Sequence, residues 1–141
     1  MDTLQKKERT LRVKKMSAVL RKLYPEATIA LNFSTPWELM VAVQLSAQCT
    51  DKRVNIVTQT LFKKYTTVGE YARARQGAFE RDIFSCGFYR NKARNIIAAA
   101  KILEKDFGGV IPQTIEDLIK IPGVARKTAN VVLSNLYEKA E

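Results

Sequence analysis

The stretch IPGVARKTANVVL, Ile121 to Leu133, decides how the rest of this chain is read. With the residues before it, DLIKIPGVARKTANVV, it spells a short helix, a tight turn and a second helix. Pro122 stops the first helix, because proline lacks the amide that a continuing helix needs. Gly123 supplies a backbone position free of Cβ restriction. The amides of Val124, Ala125 and Arg126 then fall at the open start of the last helix. Free N–H groups and the positive end of a helix dipole attract a phosphate. Such a grip positions a nucleic-acid backbone without reading its bases. An ordinary helical corner with a proline stop has the same local pattern, so the turn alone leaves both readings open.

The composition fits either reading. The chain has 141 residues, 46% of them apolar and 27% charged, which suits one soluble domain. Its net charge is +10 and its pI about 9.8, a surplus that attracts polyanions, nucleic acid first among them. A general solubility surplus is the plainer alternative. No apolar run approaches the ~18 residues of a membrane span. The basic N-terminus, MDTLQKKERTLRVKK, has no apolar core of a secretory signal, so an intracellular location is expected. There is no histidine, and the two cysteines are Cys49 and Cys86. Cys/His zinc sites and Ser-His or Cys-His dyads are therefore excluded, and isolated cysteines read first as small buried hydrophobes.

Working outward, the pattern is helical almost throughout. Met16, Val19, Leu20 and Leu23 form one apolar stripe on a basic helix. FSTPWELMVAVQLSAQ opens with Ser34 and Thr35 as caps and Pro36 at a first helical position. Its apolar run predicts the buried central helix. TDKRVNIVTQTLFKKY predicts a third helix, TVGEYARAR and GAFERDIFSCG two short ones, the second ended by Gly87. YRNKARNIIAAAKILEKDFGG predicts a long helix closed by Gly108 and Gly109, and TIEDLIKI a short one capped by Thr114. No hairpin or parallel-sheet rhythm interrupts them. The expected fold is all-α, with about seven or eight helices.

Three segments together carry a resemblance. IPGVARKTA resembles the helix-hairpin-helix signature of the endonuclease III family of base-excision DNA glycosylases, whose hallmark is a PGVG-x-KTA core. LNFSTPWELMVAVQLSAQCTD, Leu31 to Asp51, resembles the family's LNF…PFELL…LLSAQATD segment. GFYRNKARNI, Gly87 to Ile96, resembles its GLY…KA segment. They stand in the family's order and cover nearly the whole chain. The resemblance implies a six-helix barrel over residues 29–141, with the helix-hairpin-helix at about 114–138. Residues 1–28 would form an N-terminal amphipathic helix outside it.

The resemblance also implies a chemistry, DNA glycosylase and abasic-site lyase action on oxidised pyrimidines or abasic sites in damaged duplex DNA. Lys127 matches the family's nucleophile, whose amine attacks C1′, displaces the base and forms a Schiff base before β-elimination. The attacking amine must be neutral, while an ordinary lysine titrates near ~10.4. A helix N-terminus, the neighbouring Arg126 and partial burial would each favour the neutral form. A charged lysine that holds a phosphate is the alternative. Gln48 matches the residue that fills the gap left by an extruded base. Asp51 matches one beside the lesion pocket, although it could equally cap its helix. Phe88 stands where the family carries leucine and could wedge between base steps, stack, or pack in the core. Arg90, Lys92 and Arg94 open the long helix and would meet phosphates or solvate that face. Gly123, Val124, Ala125, Arg126 and Thr128 complete the expected DNA-binding set. The carbonyls of Ile119, Ile121 and Val124 would hold a monovalent cation.

Two departures accompany the match. Ala125 replaces the hairpin's second glycine, which costs ~1 kcal/mol or more only if its φ is positive. The family's essential aspartate, in a VDTH segment, and its four iron–sulfur cysteines fall after the position of Glu141, so no cofactor is expected on these residues. The stripe of the first helix would then self-associate, repack on the barrel, or meet a separately encoded C-terminal segment. A non-catalytic helix-hairpin-helix DNA-binding module is the rival to the enzyme.

Overall fold

The computed structural model describes residues 3–137. Positions 1, 2 and 138–141, which hold the outer ends of the expected segments 1–28, 29–141 and 114–138, lie outside the described residues. Among the described residues the fold is all-α. The elements run α1 (Thr3–Leu23), α2 (Pro36–Ser46), α3 (Asp51–Lys64), α4 (Val68–Ala72), α5 (Gln76–Asp82), a 3₁₀ turn (Phe84–Cys86), α6 (Tyr89–Phe107), α7 (Ile115–Leu118) and α8 (Arg126–Tyr137). None of them is long and apolar enough to cross a membrane.

The centre is α2. The Thr35 hydroxyl caps it by accepting from the Glu38 amide at 3.1 Å, and Pro36 sits in its first turn. Trp37 and every residue from Leu39 to Leu45 are buried, so this helix has almost no solvent face. Against it pack α3, through Val54, Val57 and Leu61, and α8, through Ala129, Val132 and Leu133. The long α6 lies against α2, α4 and α5 and buries Ala93, Ile96, Ala100 and Leu103. Tyr71 sits at the centre of an aromatic cluster, with Trp37 edge-on at 5.3 Å and Phe79 at 5.7 Å. The α6 helix stops as its sequence requires. Gly108 adopts φ +59°, and the Gly109 amide donates back to the Leu103 carbonyl at 2.8 Å.

The first helix differs from one expectation. No residue of α1 is buried, and Met16, Val19, Leu20 and Leu23 are each more than half exposed. Repacking of this stripe on the barrel is therefore not what the structure shows. The core is already closed by side chains between Leu31 and Leu133. The charge distribution is also uneven. The α1 sequence carries eight Lys and Arg against one Glu, or +7, so all other residues together supply only +3 of the net +10.

Packing on α2 predicts a sharp contrast between two leucines. Leu39→Ala should cost about 2–5 kcal/mol, as a large-to-small change in a closed core does. Leu20→Ala should change stability by less than ~0.5 kcal/mol, since its side chain touches little. Urea unfolding followed by circular dichroism measures both.

Candidate nucleic-acid interface

The hairpin forms as its sequence dictates. Thr114 caps α7 by accepting from the Asp117 amide at 3.2 Å. The Ile121 amide donates to the Leu118 carbonyl at 3.0 Å, and Pro122 prevents further helix. Gly123 then takes φ +79°. A Cβ there would collide with the side-chain amide of Gln44 on α2, so glycine is required both for conformation and for space. The first bond of α8 runs from the Ala129 amide to the Ala125 carbonyl at 2.9 Å. The amides of Arg126, Lys127 and Thr128 therefore have no partner inside their own helix.

Two details of the hairpin correct or settle the sequence reading. The Val124 amide is not free, because it donates to the Ile121 carbonyl at 3.1 Å and closes the turn. Ala125 has no positive φ, so alanine meets no backbone penalty in place of glycine. The Ile121 carbonyl accepts the Val124 amide and keeps a second lone pair.

The other two segments are turns of unusual conformation. Gln48, just past α2, has φ +51°, and Phe88, just before α6, has φ +46°. These are the two non-glycine residues with positive φ among the described residues. An L-residue in this region costs roughly 1–2 kcal/mol, a strain that folds keep mainly at functional positions. Gln48 is exposed, and Phe88 is 65% exposed, which removes core packing as the role of its ring. At Asp51 the cap belongs instead to Thr50, whose hydroxyl accepts from the Arg53 amide at 3.2 Å. Asp51 is left exposed in the first turn of α3.

The basic residues divide. Arg90 is exposed, with its guanidinium 4.9 Å from the centre of the Tyr89 ring. Arg94 is exposed and pairs with Asn91. Lys92 is not a solvent-facing phosphate ligand. It is buried, and its Nζ donates to the carbonyls of Leu45 at 2.8 Å and Cys86 at 2.9 Å. Position four of α6 points inward, which the neighbouring basic residues disguise. Burial, the largest influence, holds this lysine below the ordinary lysine range. Lys127 is exposed rather than partly buried, because α8 turns Ala129, Val132 and Leu133 toward the core.

Gln48, Phe88, Lys92, Gly123 and Thr128 line one cleft of about 290 Å³. Gln44 lines it too and is a residue that sequence reasoning missed. It is 6% exposed, and its Nε2 has no hydrogen-bond partner among the described residues. Its one sequence signal was being the single polar residue in the run MVAVQL. Asp51 lies elsewhere, in a groove of about 830 Å³ between the 30–34 segment and α3. Lys127 lines neither.

A family model described as HhH-GPD superfamily base excision DNA repair protein matches residues 41–133, which hold, in chain order, the second and third segments whole and the first from Val41 onward. The chain belongs to this superfamily. Endonuclease III of Synechocystis sp. is 50% identical over 119 residues, covering 84% of this chain and 54% of that protein. Endonuclease III of Bacillus subtilis is 50% identical over 112 residues, covering 79% and 51%. This HhH-GPD chain thus spans about half the length of the curated relatives it matches. A solved trapped endonuclease III–DNA covalent intermediate, an estranged-adenine complex, superimposes with TM-score 0.85 at 43% identity, covering 91% of this chain and 60% of that one.

The two hairpin positions should respond oppositely. Gly123→Ala should destabilise by at least ~1 kcal/mol, from left-handed backbone and the clash with Gln44. Ala125→Gly should shift stability by less than ~0.5 kcal/mol. Thermal unfolding of both variants beside the parent chain checks the pair.

Proposed function

We propose that this chain acts in base-excision repair as a DNA glycosylase and abasic-site lyase of endonuclease III type, on oxidised pyrimidines or abasic sites in duplex DNA. The observation that carries it is the pair of exposed left-handed residues, Gln48 and Phe88, in one cleft with the hairpin's Gly123. An enzyme that works on a base must draw it out of the stack, and something must occupy the hole. Gln48 supplies an amide that hydrogen-bonds the orphaned base, and the Phe88 ring parts the neighbouring step. The open amides at the start of α8 hold a backbone phosphate. The Ile119, Ile121 and Val124 carbonyls would hold a monovalent cation beneath that phosphate.

Lys127 contributes one of those amides, and its side chain is exposed and reachable by a nucleotide. Its neutral amine attacks C1′, and the glycosidic bond breaks as the C–N bond to lysine forms. Ring opening gives the Schiff base. Loss of a C2′ proton then expels the 3′ phosphate, which leaves with the bonding electrons. Asp51, on the neighbouring groove, would face the lesion side.

The exposure of Lys127 also favours a second reading, in which it stays charged and simply holds phosphate. Borohydride separates the two, because it reduces a Schiff base to a stable adduct. Incubation with abasic-site duplex and borohydride should give a covalent complex that disappears in Lys127→Ala. That substitution should alter stability by less than ~0.5 kcal/mol, since the side chain is exposed. Binding with no adduct would leave a DNA-binding module, and an adduct that survives Lys127→Ala would remove the lysine from the chemistry.

A further inference from the structure

The mechanism above makes no use of Lys92, yet its ammonium is placed with care. The Nζ group bridges two carbonyls from segments far apart in the chain, Leu45 near the end of α2 and Cys86 in the 3₁₀ turn. Leu45 lies three residues before Gln48, and Cys86 two before Phe88. Both segments then turn left-handed at those residues. The groups that face the ammonium besides the carbonyls are the Cys49 and Cys86 thiols, and no carboxylate acts on it. A methionine would fill the same space without burying a charge, and a buried charge needs compensation from its surroundings. Here that compensation comes from the carbonyl end of α2, where a helix dipole favours a cation. Both carbonyls gain a donor they would otherwise lack.

We propose that Lys92 is a positioning residue whose buried ammonium clasps the end of α2 to the 3₁₀ turn and so sets the separation of Gln48 and Phe88, the two side chains that enter the duplex. The inference rests on the DNA reading given above. Lys92 touches no DNA in it. Because the clasp lies beneath both turns, it governs insertion at a lesion, whereas the hairpin amides govern backbone binding to any duplex. Without the ammonium the two turns relax independently, and Gln48 and Phe88 no longer arrive together.

The test compares the parent chain with Lys92→Met on two duplexes, one intact and one carrying a tetrahydrofuran abasic analogue opposite 2-aminopurine. The parent should bind the abasic duplex more tightly and change the 2-aminopurine fluorescence as Gln48 enters the gap. In Lys92→Met that preference should fall by about tenfold, with the fluorescence change lost, while affinity for the intact duplex moves less than about twofold. Gln48→Ala should add less than about twofold on the Lys92→Met background, because residues acting as a unit are not additive. A retained preference and fluorescence change, an equal loss on both duplexes, or additive effects would each overturn the clasp. Should Lys92→Met lose its cooperative thermal transition, Lys92→Arg carries the test. It keeps a cation and donors, so it should preserve the preference, and a folded Arg variant without it also overturns the proposal. A parent chain that shows no preference for the abasic duplex would instead overturn the proposed function itself.

Discussion

The fold hangs on one helix that has almost no solvent face. In α2, Trp37 and every residue from Leu39 to Leu45 are buried, and α3, α6 and α8 are placed by packing on it. A helix that apolar must be covered on all sides, and the covering helices then have few choices of position. Its last residues decide what happens at the surface. Gln44 abuts Gly123 and so fixes how closely the hairpin approaches. The Leu45 carbonyl meets Lys92, and the chain turns left-handed at Gln48. Core packing and the candidate site are therefore joined through the five residues from Gln44 to Gln48.

The electrostatics of that site are mainly those of the backbone. Seven of the ten net positive charges sit on α1, which buries nothing. What the hairpin offers a phosphate is the row of unpaired amides at the start of α8, with the dipole behind them. Side-chain charge supplements this at Arg126 and Lys127, both exposed. The strained turns at Gln48 and Phe88 are held against relaxation by the well-packed elements on either side of them.

Much of this was legible in the sequence, and the exceptions share a cause. The all-α class, the Thr35–Pro36 start of α2 and the glycine stop of α6 follow from local chemistry, and the structure has them where the residues place them. The stretch GAFERDIFSCG instead divides, with α5 ending at Asp82 and a 3₁₀ turn following, because buried Ile83 and Cys86 face the core at a tighter pitch. Lys92 was hidden among Arg90 and Arg94, and only the fold shows which of the three points inward. Val124 looked like a free donor until the turn closed on Ile121. Phe88 could have gone either way, since no local pattern tells an exposed ring from a core one. In each case the deciding partner lies far along the chain or depends on a backbone angle.

The central claim is that the turns at Gln48 and Phe88 and the hairpin at Gly123 meet DNA as one surface. Hydrogen–deuterium exchange of the protein with and without an abasic-site duplex tests it most directly. The expected result is slowed exchange in all three segments, residues 46–50, 86–90 and 123–128, at the same DNA concentration. Slowing confined to the hairpin, with the two turns unchanged, would contradict it.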